Sequence, residues 1–378
     1  MVFWTPRTKS NTMTKFAFFT AALAAGASAA TIPSKPIPTG APKLNPAAFE
    51  TTEIHTLSLA DITEMVLNQT APPQPEAQFS TFAAAATCTN PKVRTEWHQT
   101  SDTTKQNFVN GIKCLLGKAS KGGYPGSKNR YEDFVQVHQA VTDNVHNNRK
   151  FIVWHRAFLW AFEKVLQDEC GFTDALPWFD ETKYAGRFSQ SSIFSNQWLG
   201  AINLGGNCVT NGVSTLAVYE IQFANMHQQF ANLALNVGPS TSNTYHCLAR
   251  NGNAADTANT NSNIVNGCTA LTDYQDFARC AEQGAHAYGH NGIGGVMRDV
   301  YASPGDPIFW LHHGMVDRHF RIWQNNDSGR TKYIDGNGPN GVPLTMDTPI
   351  YLNSLQPNLK VSDIMNTLGG FLCYKYNY

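Results

Sequence analysis

The stretch HRAFLWAFEKVL, residues 155–166, decides the fold because its apolar residues have the spacing of a buried helix. Leu159, Phe162 and Leu166 follow His155 at intervals of four, seven and eleven residues. Residues at these intervals lie on one face of an α-helix. The stretch is therefore predicted to be a core helix whose buried face begins with a histidine.

Helical spacing recurs along the chain, whereas runs of alternating polar and apolar residues are scarce. The segments predicted to be helical are residues 58–69, 103–118, 131–146, 155–170, 273–290 and 306–324. Gly171 is a favourable C-cap for the fourth of them, and Asp306-Pro307 is a typical helix start. Residues 236–270 are rich in Asn, Thr, Ser and Gly and are predicted to be a long loop, stapled through Cys247 and Cys268. A mainly α fold with long loops follows.

The N-terminal region has the composition of an exported protein's leader. MTKFAFFTAALAAGASAA, residues 13–30, contains Lys15, then an apolar run of about ten residues, then small residues, as a signal peptide does. We assign residues 1–29 to a secretory signal peptide. Residues 30–87, rich in Pro and Ala, are interpreted as a pro-segment or an arm packed on the surface. Residues 88–378 are interpreted as the main domain.

Export predicts an extracellular location and an oxidising environment, in which most of the eight cysteines form disulfides. Asn68-Gln69-Thr70 and Asn326-Asp327-Ser328 are candidate N-glycosylation sites. Lys plus Arg equals Asp plus Glu at 28 each, so no basic field favours a nucleic-acid partner. After residue 30, no apolar run approaches the roughly 20 residues of a membrane span, so no membrane partner is expected.

Eight of the twelve histidines fall in two short regions. The first region holds His138, His146 and His155. The second holds five histidines, and in HAYGH two of them, His286 and His290, lie one helical turn apart and can face one ion. FWLHHGMVD adds His312 and His313. Each region can therefore supply three imidazoles.

Imidazole ligands suit zinc, copper, iron and nickel. The Glu-x-x-His pairs of a di-iron carboxylate bundle do not occur on these helices, and two three-histidine zinc sites without a nearby carboxylate would be unusual. Copper heads the affinity series of the divalent metals. The residues therefore favour two copper ions between antiparallel helices, each with an open position, which suits dioxygen.

Two long segments resemble the copper motifs of the type 3 copper family, the tyrosinases, catechol oxidases and haemocyanins. They are VHQAVTDNVHNNRKFIVWHRAFLWAFEKVL (residues 137–166) and HAYGHNGIGGVMRDVYASPGDPIFWLHHGMVDRHFRIW (residues 286–323). The resemblance is closest to short secreted fungal tyrosinases and catechol oxidases, and runs from about Lys92 to the closing CYKYNY. It implies a four-helix bundle that holds a dicopper centre.

The resemblance also implies the ligands. One copper is bound by His138, His146 and His155, and the other by His286, His290 and His313. Both His312 and His313 lie on apolar stripes, so periodicity does not choose between them. The family pattern uses the second histidine, and Asp317, one turn later, is a candidate to orient the imidazole of His313. His312 is then a support residue.

The activity implied is oxidation of small o-diphenols to o-quinones, with dioxygen as co-substrate reduced to water. In relatives, the residue 13 positions before His313 is a gate, often Phe. Here it is Val300, which predicts open access. Glu282 occupies the position of a glutamate that holds a water thought to deprotonate monophenols, but its asparagine partner is replaced by Ala287. A catechol oxidase-like enzyme with weak monophenol hydroxylation is expected.

Three alternatives remain open from the sequence. The first is a full tyrosinase, and the second is a tailoring oxidase acting on a phenol of secondary metabolism. The third, more remote, is a non-catalytic dioxygen-binding protein. Many relatives have a cysteine cross-linked to histidine two residues before the second ligand. Asn144 stands there, so no such thioether is expected.

Overall fold

The computed structural model describes residues 54–69, 88–124, 127–207, 209, 248–369 and 372–378. The predicted signal peptide lies outside the described residues, and so does the predicted arm apart from residues 54–69. Two of the eight cysteines, Cys208 and Cys247, also lie outside them.

Helices dominate the described chain, and the few strands are short. The helices are α1 (Leu59–Asn68), α2 (Asp102–Gly117), α3 (Arg130–Val145), α4 (Phe151–Cys170), α5 (Ala254–Thr257), α6 (Ser262–Ala270), α7 (Tyr274–Ala281), α8 (Ala287–Ile293), α9 (Ile308–Asn325) and α10 (Val361–Ile364). The strands are β1 (Lys92–Arg94), β2 (Pro349–Ile350), β3 (Leu359–Lys360) and β4 (Tyr374–Tyr376). Strand β1 pairs with β4 in parallel, and β2 with β3 antiparallel. The prediction of a mainly helical bundle with few strands is confirmed.

Helix α4 is the centre of the core, because 14 of its 20 residues are buried. It packs against α9, where the rings of Phe162 and Trp310 stack with centroids 3.6 Å apart. It ends at Gly171 in the left-handed conformation (φ 66°), as the sequence predicts. It begins at Phe151, however, so His155 lies one turn inside the helix rather than at its first residue.

The prediction of a loop over residues 236–270 is wrong for its described part, where α5 and α6 form. Asparagines favour loops, but here they cap helices: the side chain of Asn261 accepts hydrogen bonds from the amides of Asn263 and Ile264 at the start of α6. The predicted disulfide between Cys247 and Cys268 is also wrong, because Cys268 is bonded to Cys280.

The six cysteines of the described residues form three disulfides, Cys88–Cys373, Cys114–Cys170 and Cys268–Cys280. The first joins the beginning of the main domain to the end of the chain, next to the β1–β4 pair. Such bridges are typical of proteins from an oxidising compartment. Within the described residues, no helix combines the length and the apolar character needed to cross a membrane.

The described part of the N-terminal arm contributes to the core. Ser58 and Asp61 form a capping box at the start of α1. Ile62 is fully buried, close to Gly267 and Gly284. The arm therefore supplies a core side chain in addition to covering the surface.

Candidate metal centre

The first histidine cluster lies between α3 and α4. His138 is on α3, His146 follows the last residue of that helix, and His155 is on α4. The three rings are buried, and their potential ligand atoms all lie within 4.8 Å of one another. The structure thus brings together the three side chains predicted to hold the first metal.

Backbone carbonyls fix the tautomer of each ring. Nδ1 of His138 lies 2.8 Å from the Tyr301 carbonyl oxygen. Nδ1 of His146 lies 3.0 Å from the carbonyl oxygen of Thr142, and Nδ1 of His155 lies 2.9 Å from that of Phe151. A carbonyl oxygen only accepts, so each Nδ1 carries the proton and donates it. Each Nε2 is then left as a lone-pair donor for a metal.

The electrostatics of the cluster suit a cation. Burial lowers the pKa of His138 and His155 well below the ordinary histidine value and that of His146 to about 4, so the rings are neutral. The Nε2 atoms of His138 and His155 lie 3.4 Å apart. Two lone pairs facing each other at this distance repel, and a metal ion close to both nitrogens removes the repulsion. The donor set fits a metal such as copper.

The second cluster contains four histidines, His286, His290, His312 and His313. Nδ1 of His286 donates to the Glu282 carbonyl at 2.8 Å, and Nδ1 of His290 to the Met297 carbonyl at 2.6 Å. Nε2 of His290 lies 3.3 Å from Nε2 of His313, and Nε2 of His286 is buried without a partner. Unpaired buried imidazole nitrogens that converge in this way again fit a metal ion.

A break in the helix places His286. The predicted helix over residues 273–290 is present as α7 and α8, joined by a π-helical segment, Glu282–His286. Gly284 inside that segment is non-helical, with φ −88° and ψ −125°. Bulges of this type often occur at functional sites, because they re-aim a side chain without ending the helix.

The two clusters face each other. The rings of His155 and His313 stack with centroids 4.5 Å apart and an interplanar angle of 13°. Phe309 packs beside both clusters, with its centroid 4.0 Å from that of His313 and 5.5 Å from that of His138. The arrangement can hold two metal ions close together in a largely apolar, buried setting.

The fourth histidine of the second cluster has a partner that the sequence did not reveal. Nδ1 of His312 lies 2.6 Å from Oε1 of Glu181, and both side chains are buried. Burial, together with Asp180 nearby, raises the pKa of Glu181 well above its ordinary value. Glu181 lies in a short 3₁₀ turn with no motif around it, so the sequence carried no signal for this contact.

The predicted role of Asp317 is wrong. Its carboxylate accepts hydrogen bonds from Arg156 and from the hydroxyls of Tyr374 and Tyr376, each at 2.5 Å, and from Arg94 at 3.3 Å. With these donors in place, it is not available to the imidazole of His313, whose Nδ1 has no partner. Asp317 instead links α9 to the paired strands β1 and β4, which contain Arg94, Tyr374 and Tyr376.

The three residues predicted to control substrate chemistry lie beside the histidines. Glu282 is buried, and its Oε1 accepts a hydrogen bond from the Asn147 amide at 2.7 Å. Burial raises the pKa of Glu282 to about 8, although the Asn147 amide and Arg149 oppose the rise. Ala287 is fully buried at the start of α8. Val300 is half-buried, next to the residue whose carbonyl holds His138.

Comparison with known proteins agrees with this geometry. Residues 128–326, over half of the chain, match the family description "Common central domain of tyrosinase". The chain is 28% identical over 354 residues to Tyrosinase P of Aspergillus terreus, covering 77% of this chain and 94% of that protein. It is 27% identical over 353 residues to the N-acetyl-6-hydroxytryptophan oxidase of Emericella nidulans, covering 78% and 95%.

The fold is similar to that of a polyphenol oxidase variant from Thermothelomyces thermophila. The TM-score is 0.66 at 23% sequence identity, over 86% of this chain and all of the other.

Proposed function

The chain belongs to the tyrosinase family, and from this premise we propose that it oxidises o-diphenols to o-quinones while dioxygen is reduced to water. Members of this family are dicopper oxidoreductases that act on phenols with dioxygen. Within that class, we propose a preference for o-diphenols over monophenols.

Two copper ions per chain are the cofactor, as in the rest of the family. When bound, they supply the redox chemistry between phenol and dioxygen. We propose His138, His146 and His155 for one ion, and His286, His290 and His313 for the other. The observation that carries the proposal is the pair of facing clusters, in which neutral imidazoles converge through Nε2 and five of the six proposed ligands are held by backbone carbonyls through Nδ1.

His313 is proposed over His312 because of what each ring contacts. His313 stacks on His155 of the first cluster, so it lies between the two groups of ligands. His312 is held on its Nδ1 side by Glu181 and stacks on no ring of the first cluster among the described residues. In this assignment Glu181 and His312 support the wall of the second site.

The preference for diphenols rests on the surroundings of Glu282. A diphenol has two adjacent hydroxyls that bound copper ions would help to deprotonate, so it depends little on a protein base. A monophenol depends more on a base, and general-base help is typically worth about 10²–10⁴ in rate. One oxygen of Glu282 is already bonded to the Asn147 amide, and Ala287 offers no side-chain amide to hold a water beside the other. Val300 is small enough to admit substituted rings.

A second candidate is hydroxylation of a specific monophenol by the same centre, as in a tailoring oxidase. Two observations favour it. Burial raises the pKa of Glu282 to about 8, which makes its anion a stronger base than an ordinary carboxylate. One relative is named as the oxidase of a hydroxylated tryptophan derivative.

Export to the extracellular space, as the leader-like N-terminus predicts, is supported by the three disulfides.

Oxygen consumption by the copper-loaded protein tests the proposal. We expect rapid uptake with 4-methylcatechol, and slower uptake after a lag with 4-methylphenol. Comparable rates without a lag would favour the full tyrosinase. Dioxygen binding without turnover of either substrate would contradict both candidates and favour a carrier.

A further inference from the structure

A polar cavity of about 460 Å³ opens beside the first histidine cluster. His146, which at 7% is the most exposed of the seven clustered histidines, lines it together with Asp143, Asn147, Arg149 and Asn340. Its volume is within the range of small-ligand sites, roughly 300–1,000 Å³. A phenol approaching the metals past His146 would leave its ring substituent in this cavity.

Arg149 is the one arginine or lysine that lines this cavity, counted among the described residues. Its guanidinium has no ion pair or hydrogen bond with any part of the described chain, and its Nε is buried without a partner. Burial lowers the pKa of Arg149, and the nearby Glu282 only partly opposes this. A buried donor without an acceptor is unfavourable, and a ligand oxygen would supply the missing acceptor.

The backbone around Arg149 is held rigidly. Its amide donates to the Asn337 carbonyl at 2.9 Å, and its carbonyl accepts from the Tyr274 hydroxyl at 2.7 Å. Gly336, with φ +78°, lies against the aliphatic part of the side chain: a Cβ there would be 2.6 Å from Cγ of Arg149. With its backbone and the base of its side chain already held, Arg149 has less conformational freedom to lose on binding a ligand.

We propose that Arg149 determines substrate specificity by binding a carboxylate on the ring substituent of the phenol, an inference that rests on the proposed function. A guanidinium pairs with a carboxylate through two parallel hydrogen bonds. Asn147 and Asn340 line the same cavity, and their side-chain amides can supply further donors. Asp143 also lines the cavity and is exposed, and its negative charge would repel a bound carboxylate. Its Oδ1 accepts a hydrogen bond from the Tyr301 hydroxyl.

The test compares 3-(3,4-dihydroxyphenyl)propanoate with its neutral primary amide as substrates of the copper-loaded protein. The wild type should have a KM about ten- to a hundredfold lower for the carboxylate, since a hydrogen bond to a charged group contributes about that factor. Arg149→Gln should make the two KM values nearly equal, and Arg149→Lys should retain part of the preference for the carboxylate. Asp143→Asn should increase it, because a repelling charge is removed.

The matched control is Arg279→Gln, which removes the same charge from α7 at a separate cavity and should keep the ratio. Calorimetric titration with 3-phenylpropanoate and its amide, which are not oxidised, gives a readout independent of turnover and should show the same preference. Equal KM values in the wild type, or an equal change for both substrates in Arg149→Gln, would overturn the inference while leaving catechol oxidation intact. Failure to oxidise any catechol would instead remove the proposed function.

Discussion

Nδ1 of His312 lies 2.6 Å from Oε1 of Glu181, across 131 residues of sequence, and the pair packs directly over Gly289. A Cβ at Gly289 would be 2.6 Å from the His312 ring and 2.8 Å from Oε2 of Glu181. The absence of a side chain at this position, one residue before the proposed ligand His290, therefore lets the pair support the second metal site.

Gly289→Ala should destabilise the protein by about 1–3 kcal/mol, because the added methyl overpacks a buried and rigid contact. Gly117→Ala is the matched control: Gly117 ends α2, and nothing lies within 4 Å of the Cβ it would gain. It should be neutral or slightly stabilising. Urea unfolding midpoints of the two variants measure the difference, and a Gly289→Ala protein as stable as wild type would disprove the close contact.

Asp317 should make the protein sensitive to acid. Burial alone would raise the pKa of Asp317, but Arg156 and Arg94 outweigh it and hold the pKa below its ordinary value. A depressed folded-state pKa contributes stability above the unfolded value, about 3.9. That stability is lost as the pH falls through the folded-state pKa. We therefore expect the loss to begin below about pH 4.

Asp317→Asn should cost about 3–5 kcal/mol at neutral pH, since it leaves buried arginine charge without its partner. It should also flatten the acid-induced loss of stability. Asp347→Asn, in an exposed pair with Lys360, is the control and should change little. Denaturant titrations of metal-free protein at pH 3 to 7 measure both effects, and equal behaviour of the two variants would refute the role given to Asp317.

Ile62 should be a core residue even though it belongs to the arm. Ile62→Ala should lower the free energy of unfolding by about 2–5 kcal/mol, because the side chain is fully buried. Leu67→Ala, on the exposed side of the same helix, should have little effect. Thermal unfolding of both variants distinguishes a core element from a removable cover, which would show no difference between them.

Helices α3, α4 and α9 could be predicted because apolar spacing records which face of a helix is buried. The histidine clusters could be predicted because i, i+4 spacing and a long family motif survive in the sequence. The carbonyls that hold the rings could not, since Tyr301 and Met297 contribute backbone oxygen, which every residue has. The hydrogen-bond partners of Asp317 could not be predicted either. Asp317 lies one helical turn from His313, but the arginines and tyrosines that contact it come from distant segments of the chain.

Monophenol activity should respond to the residue after His286. Ala287→Asn should raise the monophenol rate relative to the diphenol rate, because an amide there can help Glu282 to hold a water as general base. Initial rates on 4-methylphenol and 4-methylcatechol give the ratio. If it does not change, the base is not what limits hydroxylation. Val300→Phe serves as the steric comparison and should slow bulky diphenols more than small ones.

Copper content tests the central claim most directly. Protein supplied with copper and then dialysed should contain two copper ions per chain by mass spectrometry of the metal. His286→Ala and His313→Ala should each contain one, because two imidazoles hold an ion less well than three. His312→Ala should keep two, since that ring is held by Glu181 and is assigned a supporting role. One copper per wild-type chain, or loss of a copper in His312→Ala but not in His313→Ala, would contradict the six-histidine site described above.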